Sequence, residues 1–355
     1  MLWSGFNFES KFLDSENIIA KLHLVLQLEK SDPYSHRNVA LMPLADRIKT
    51  SLAYVPQKYR QYVLALFANT MYFPNKFSYA VLKHLMNKFV RKYHIEFEEI
   101  GKECLVLEQD PTGIVNEFLR RNSVPGRLDK KSFPRTQQVK AFVELARSQL
   151  HNKCVSVGLE NLNNFIDRKY WIILADNSLS GTSLCSDLKK LCELAAECNK
   201  TPNIVVLVRT LAAKAKIQVG TLIEEMKSKH NLIVDLECGL LLDETLSVAP
   251  HSKKSCVLFN SQDTFDGVID ACKWLANQGA YKNDPLLEDH KKNSRGDDPI
   301  KSDDKYDMAF GFKECGLTFV SSENCPSDSL PLFWYENKEI YVPPFPRVLS
   351  RIGDK

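Results

Sequence analysis

The sequence carries almost no excess of charge. Its 47 Lys and Arg stand against 44 Asp and Glu, a formal +3 over 355 residues, which argues against nucleic acid or an anionic membrane as the partner. It lacks any C-x-x-C pair although ten cysteines are present. A disulfide framework and a zinc site are therefore set aside, and reduced, buried thiols in a cytosolic protein are expected. No apolar run approaches the ~20 residues of a membrane span. Residues 1–22 contain no basic segment leading into an apolar core, so the cytoplasm is expected rather than secretion. Familiar motifs are missing too. There is no Gly-Lys-Ser/Thr phosphate loop, no G-x-G-x-x-G, no G-x-S-x-G elbow with a Ser-His-Asp set, and the eight histidines show no metal-ligand spacing. No protein-held metal is expected.

What is present is an ordinary globular balance, 44% hydrophobic and 26% charged, in a chain long enough for a full α/β domain with an appended region. Residues 1–95 read as a helical region. Segments 15–28, 59–73 and 77–89 carry apolar residues at helical spacing, the last with Phe77, Val81, Leu82, Leu85, Met86 and Phe89 on one face. Pro74-Asn75 between the last two predicts a helical hairpin. Lys83, Lys88, Arg91 and Lys92 read as a solvated helix face in preference to a docking surface. A short strand at 104–107 and helices at 114–121 and 137–150 come next.

From residue 153 the period changes. Strands are expected at 154–157, 170–174, 204–208 and 232–236, helices at 185–198 and 211–229, and a further strand–helix pair at 256–259 and 265–275. Strands alternating with helices predict βαβ crossovers, hence an α/β fold with a mainly parallel sheet flanked by helices. The domain reading is a helical region over 1–95 and an α/β domain over 96–355. Within the latter, residues 281–307 form a charge-dense, solvated insertion. In the tail, a strand is expected at 317–320. The aromatics around Pro331, with Pro343, Pro344 and Pro346, argue for packing against the domain rather than for a free tail.

The stretch YWIILADNSLSGTSLCSDLKKL, residues 170–191, is the centre of the functional reading. A buried strand empties into a polar turn over 176–183 and then into a helix. The amides of a helix's first turn have no partners within the helix, and its dipole favours an anion there. Asp176, at the carboxyl end of the strand, can accept hydrogen bonds from a ribose diol. The hydroxyls of Ser180, Thr182 and Ser183, with the amides after Gly181, can cradle a phosphate monoester. Diol and phosphate at opposite ends of one loop describe a ribose 5-phosphate site. A simple N-cap for the following helix explains the same residues equally well.

At this point the residues resemble a family. ILADNSLSGTSL is similar to the ribose-phosphate loop of type I phosphoribosyltransferases, in which two acidic residues precede a short turn and a Thr-Gly-x-Thr phosphate cradle. The tail CGLTFVSSENCPSDSLPLFWYENKEIYVPPFPR resembles the end of one divergent branch, the phosphoribosyltransferase-like domain of bacterial conflict systems called PRTase-CE, which ends in N-x-x-L-P-x-x-W and then F-P-R. Here the tail supplies Ser329, Leu330, Pro331 and Trp334, and then Phe345-Pro346-Arg347. The resemblance runs from about residue 133 to 347. It implies a ribose contact at Asp176 and Asn177 and a phosphate cradle of Ser178, Ser180, Gly181, Thr182 and Ser183. Arg135 and Arg209 are candidates for a pyrophosphate or other anion contact. Two departures matter: Ala175 fills the first acidic position, and Leu179 stands where many catalytic relatives carry a carboxylate base, so no catalytic residue is assigned. Losing such a base costs a factor of ~10²–10⁴ where a proton must move.

Two functions follow from the resemblance. One is an effector that binds phosphoribosyl pyrophosphate or a nucleotide and transfers or hydrolyses at the anomeric carbon, in anti-phage conflict, with any pyrophosphate held through Mg²⁺. The other is a non-catalytic nucleotide or phosphosugar sensor, or an interaction component, coupled to a protein partner through the N-terminal helices.

Overall fold

The computed structural model describes residues 15–31, 42–109, 114–125, 138–150, 162–278, 309–321, 325–326 and 328–346. The strand expected at 154–157, the insertion 281–307, Arg135 and Arg347 lie outside these residues. In chain order, α1 (Ser15–Ser31), α2 (Leu44–Tyr54), α3 (Gln57–Ala68), β1 (Met71–Phe73) and α4 (Asn75–Tyr93) come first. Next are α5 (Ile100–Glu103), β2 (Cys104–Gln109), α6 (Ile114–Arg121), α7 (Gln138–Leu150) and α8 (Leu162–Ile166). β3 (Tyr170–Ser178), α9 (Thr182–Glu197), β4 (Asn203–Ala212), α10 (Ala213–His230) and β5 (Ile233–Leu242) follow. The chain closes with α11 (Gln262–Asn277), β6 (Phe319–Ser321) and a one-turn helix, α12 (Pro331–Trp334). No described helix is long and apolar enough to cross a membrane.

Two compact units share the chain. One is contiguous, Lys76–Asp243; the other joins Met1–Asn75 to Glu244–Lys355. This partition runs differently from a cut at residue 95: α4 groups with the sheet that follows it, and α1 to α3 group with the C-terminal segment.

The contiguous unit is built on a four-stranded sheet in the order β2-β3-β4-β5, every pair parallel. β2, β3 and β4 are apolar and buried because both their faces are covered, while β5 is partly exposed and carries Asp235 and Glu237. Leu105, Trp171, Ile173 and Val206 point to the side of α7, α9 and α10. Val106, Ile172, Leu174 and Leu207 point to the side of α4 and α6. The alternation is that of a period-2 strand. The chain is thus α/β with a parallel sheet flanked by helices. α4 lies close on this second face because β5 offers Gly239 there: a Cβ at Gly239 would sit 2.1 Å from Val81 Cγ1. Lys88 and Lys92 of α4 reach β5 and pair with Glu237 and with Asp235 and Glu237, so part of the solvated face neutralises a strand. Phe77, expected on the apolar face, is 49% exposed. Ser78 takes the inward place.

In the discontinuous unit, α11 packs on α3 with Gly267 over Tyr62, whose ring a Cβ would meet at 2.4 Å. β1 pairs in parallel with β6, Tyr72 beside Val320. Residues 71–73, expected to be helical, are therefore a strand standing between the two helices of the expected hairpin: β6 supplies the ladder that a short apolar segment cannot find locally. Residues 256–259, expected to be a strand, are irregular; no described strand pairs with them, and Cys256 N bonds the local carbonyl of Ser252. The aromatic tail packs inward. Phe333, Trp334, Tyr341 and Phe345 are buried, Trp334 Nε1 donates to Ser329 O at 2.9 Å and Tyr341 Oη to Leu332 O at 2.6 Å. Buried Arg47 of α2 pairs with Glu29 of α1 at 3.0 Å and donates to the Pro344 carbonyl, tying the proline run to two helices.

Candidate phosphate-binding site at the end of strand β3

β3 runs further than its apolar run predicts. Asp176, Asn177 and Ser178 are strand residues, in register with β4 through Asn177–Thr210 and Ser178–Leu211. α9 begins at Thr182, so the polar turn shrinks to Leu179, Ser180 and Gly181. Gly181 is the N-cap, in the left-handed region at φ +84°, and no side chain caps the helix. Glycine is needed there twice over, for that φ and because a Cβ would come within 3.2 Å of Ala215 Cα on α10. The serines and threonine of the motif do not serve as an N-cap. The first turn of α9 carries no acidic residue either, and Thr182 Oγ1 is buried without a partner. Uncapped amides, an unopposed dipole and an unmet hydroxyl form an anion-receptive end. Ser183 is exposed beside it, while Ser178 and Ser180 are buried.

Asp176 lies elsewhere in this arrangement. Its register partner is the neighbourhood of Arg209, and the two form an ion pair, Nε to Oδ1, at 2.5 Å. Asp176 is 0% and Arg209 1% exposed. Asn177 completes the ring: its Nδ2 donates to Asp176 Oδ2 at 2.7 Å and its Oδ1 accepts from Arg209 Nη2 at 2.8 Å. Arg209 Nη1 reaches Ser78 Oγ of α4. A buried charge needs such partners, because desolvation of either ion alone costs several kcal/mol. The expected diol carboxylate and the expected anion-binding arginine are thus engaged with each other.

Ala175 and Leu179 are buried as well, Ala175 within the apolar cluster under α9 and α10. A carboxylate in place of Ala175 would face that cluster.

Two carboxylates escaped sequence reasoning. Glu108, at the end of β2, is buried and accepts from Asn116 Nδ2 at 2.8 and 2.9 Å. Asp187 on α9 accepts from Gln109 Nε2 at 2.8 Å; burial raises its pKa, against the lowering effects of that bond and of Lys190. The only signal for Glu108 was its place directly after the apolar run 104–107, and Asp187, inside α9, gave none. Among the described residues no group of three or more His, Cys, Asp or Glu is placed to hold a metal ion, and Asp176 is committed to Arg209. The residues therefore offer no ready ligand set for Mg²⁺.

Among the described residues the strands follow one another without reversal, so the four of them form no switch-point crevice. The feature left for a candidate site is the uncapped start of α9. No curated protein and no solved structure matches the chain. A family model does: PRTase-CE, over residues 54–347. That span begins well before the two motifs that carry the resemblance, taking in α3, β1, α4 and the whole parallel sheet, and it ends at the F-P-R of the tail. The chain belongs to the PRTase-CE family and carries its phosphoribosyltransferase-like α/β domain.

Proposed function

We propose that the domain binds a ribose 5-phosphate group, as phosphoribosyl pyrophosphate or a nucleotide, with the phosphate seated on the first turn of α9. The observation that carries this reading is the α9 terminus itself: a left-handed glycine N-cap, no capping side chain, no acid in the first turn and a buried, unmet hydroxyl at Thr182. Thr182, Ser183 and the amides after Gly181 hold the phosphate. Asn177, half-buried at the strand end, is the side chain closest in sequence to a ribose. Asp176 acts behind it, holding the amide of Asn177 in place. The reaction class attached to this ligand is transfer or hydrolysis at the anomeric carbon, and the setting is anti-phage conflict in the bacterial cytoplasm. Any Mg²⁺ enters with a pyrophosphate-bearing ligand.

A second reading, a non-catalytic sensor coupled to a partner through α1 to α3, is favoured by the commitment of Asp176 to Arg209 and by the burial of Leu179. Both remove an open carboxylate from the loop, and with it a base for proton transfer.

Thermal shift with ribose 5-phosphate, phosphoribosyl pyrophosphate and nucleotides tests binding. Wild type should melt higher with a phosphoribosyl ligand, and Ser183→Asp, an exposed change that sets like charge against the phosphate, should abolish the shift. Absence of any shift in wild type overturns the proposal. Product formation over many turnovers would decide for the enzyme and against the sensor. Asp176→Ala is a poor probe, because it strands a buried guanidinium.

A further inference from the structure

We infer that the outer edge of β5, with the flank of α10 beside it, is the surface through which two copies of this chain pair antiparallel about a two-fold axis.

The described parallel sheet has two edges, β2 and β5. β2 is buried, whereas Ile233, Gly239 and Leu241 of β5 are exposed, Ile233 to 59%. Among the described residues no strand pairs with the outer side of β5, and no turn or loop backbone bonds to it. Such edges are normally blunted by a lysine, a proline, a bulge or a short length. β5 has none of these. Its ten residues keep one unbroken register with β4, from Asn203–Ile233 to Ala212–Leu242. Its two acids give no protection either, because Lys88 and Lys92 neutralise them.

α10 selects a second copy over an unrelated strand. A Cβ on Gly181 of the α9 start would meet Gln218 Oε1 at 3.0 Å, so Gln218 marks the side of α10 that faces α9. The opposite side looks toward the outer edge of β5, and at 3.6 residues per turn it carries Lys216, Gly220 and Glu224. Ile217, 66% exposed, stands next to them. Lys216 does lie beside β5: burial raises the pKa of the Cys238 thiol there, and Lys216 works against that rise. A Cβ at Gly220 would meet nothing within 4 Å. Lys216 and Glu224 are both exposed and stand four residues to either side of that glycine. A two-fold axis passing Gly220 therefore sets Lys216 of each copy against Glu224 of the other, the self-complementarity that an isologous contact requires.

The spacing agrees. α10 joins β4 to β5 and packs on both. Pairing β5 with its copy then leaves the two α10 helices two strand spacings apart, about 10 Å. Helices pack at roughly 8–10 Å.

Sedimentation velocity over a concentration series tests the contact. Wild type should pass from monomer to dimer as concentration rises, and a monomer throughout overturns the inference. Lys216→Glu and Glu224→Lys each bring like charges together across the axis and should weaken the dimer at least about 10-fold. Combining them restores opposite charges and should return the dissociation constant to within about 3-fold of wild type. Two turns apart on one helix, the two side chains cannot pair within a chain, so the rescue reads the contact between copies. Single variants that dimerise like wild type, or a double variant that stays weakened, overturn the α10 contact. Hydrogen exchange reads the strand: β5 amides should exchange more slowly in the dimer than in the monomer, and equal rates overturn the edge pairing.

Discussion

At the scale of single residues, the pairing of Asp176 with Arg209 governs what the site can do. Breaking a buried ion pair from one side costs about 3–5 kcal/mol, whereas removing both charges together is often near neutral. Arg209→Met should therefore lower unfolding free energy by about that amount in urea titration, and Asp176→Asn combined with Arg209→Met should regain much of the loss. A double variant no more stable than Arg209→Met would show that the pair is not the reason for its own burial. The apolar run before Asp176 marks the strand unmistakably, but the sequence ended that strand at residue 174 and put Asp176 in the turn, whereas β3 continues through it to Ser178. The sequence could not assign Arg209 a partner, since pairing depends on register. Each stands six residues after a paired neighbour, Tyr170 and Asn203, a coincidence visible only once the strands are aligned. The N-cap alternative, left open by the residues, is resolved by Gly181: the loop is too short, and turned too sharply, for a hydroxyl to cap the helix.

Among the elements, close packing through glycine separates cost from gain. Gly239→Ala should destabilise by about 1–3 kcal/mol, because α4 must withdraw from β5, and Gly267→Ala should do the same between α3 and α11. Gly220 is the control. It sits inside α10 with nothing within 4 Å of a Cβ, so Gly220→Ala should stabilise by roughly 0.5–1 kcal/mol. Thermal melts of the three would order them, and a Gly220→Ala protein less stable than wild type would contradict the helix assignment.

The clasp of α4 on β5 sets an acid limit. Burial raises the Asp235 pKa, but the Tyr93 hydroxyl and Lys92 outweigh it and the net shift is downward. A carboxyl held below its unfolded value contributes stability above that value and loses it as pH falls through the folded one. Denaturation midpoints of wild type should fall more steeply than those of Asp235→Asn as pH drops below about 4; parallel profiles would remove Asp235 from the account. Long strands and helices such as β4 and α10 were legible from period alone. β1 was not, since three residues between two helices carry too little pattern and its partner lies nearly 250 residues away, as Tyr72 beside Val320 shows.

For the whole molecule, the division of the chain matters more than its length. The parallel-sheet unit is one continuous segment, and the other unit needs both ends. A chain ending at residue 243 should keep slow hydrogen exchange in β2 to β5 while residues 44–73 exchange freely; protection of α3 in that fragment would show that α11 and the tail are dispensable to it. The consequence reaches into synthesis. α1 to α3 leave the ribosome long before α11, β6 and the aromatic tail, so their apolar faces stay uncovered while about 200 residues are added before α11 and nearly 280 before Phe345, at roughly 5–20 residues per second. The sheet can complete itself during that interval. Newborn chains are therefore most vulnerable at α1 to α3, and a holding chaperone would be needed there rather than at the β3–α9 loop.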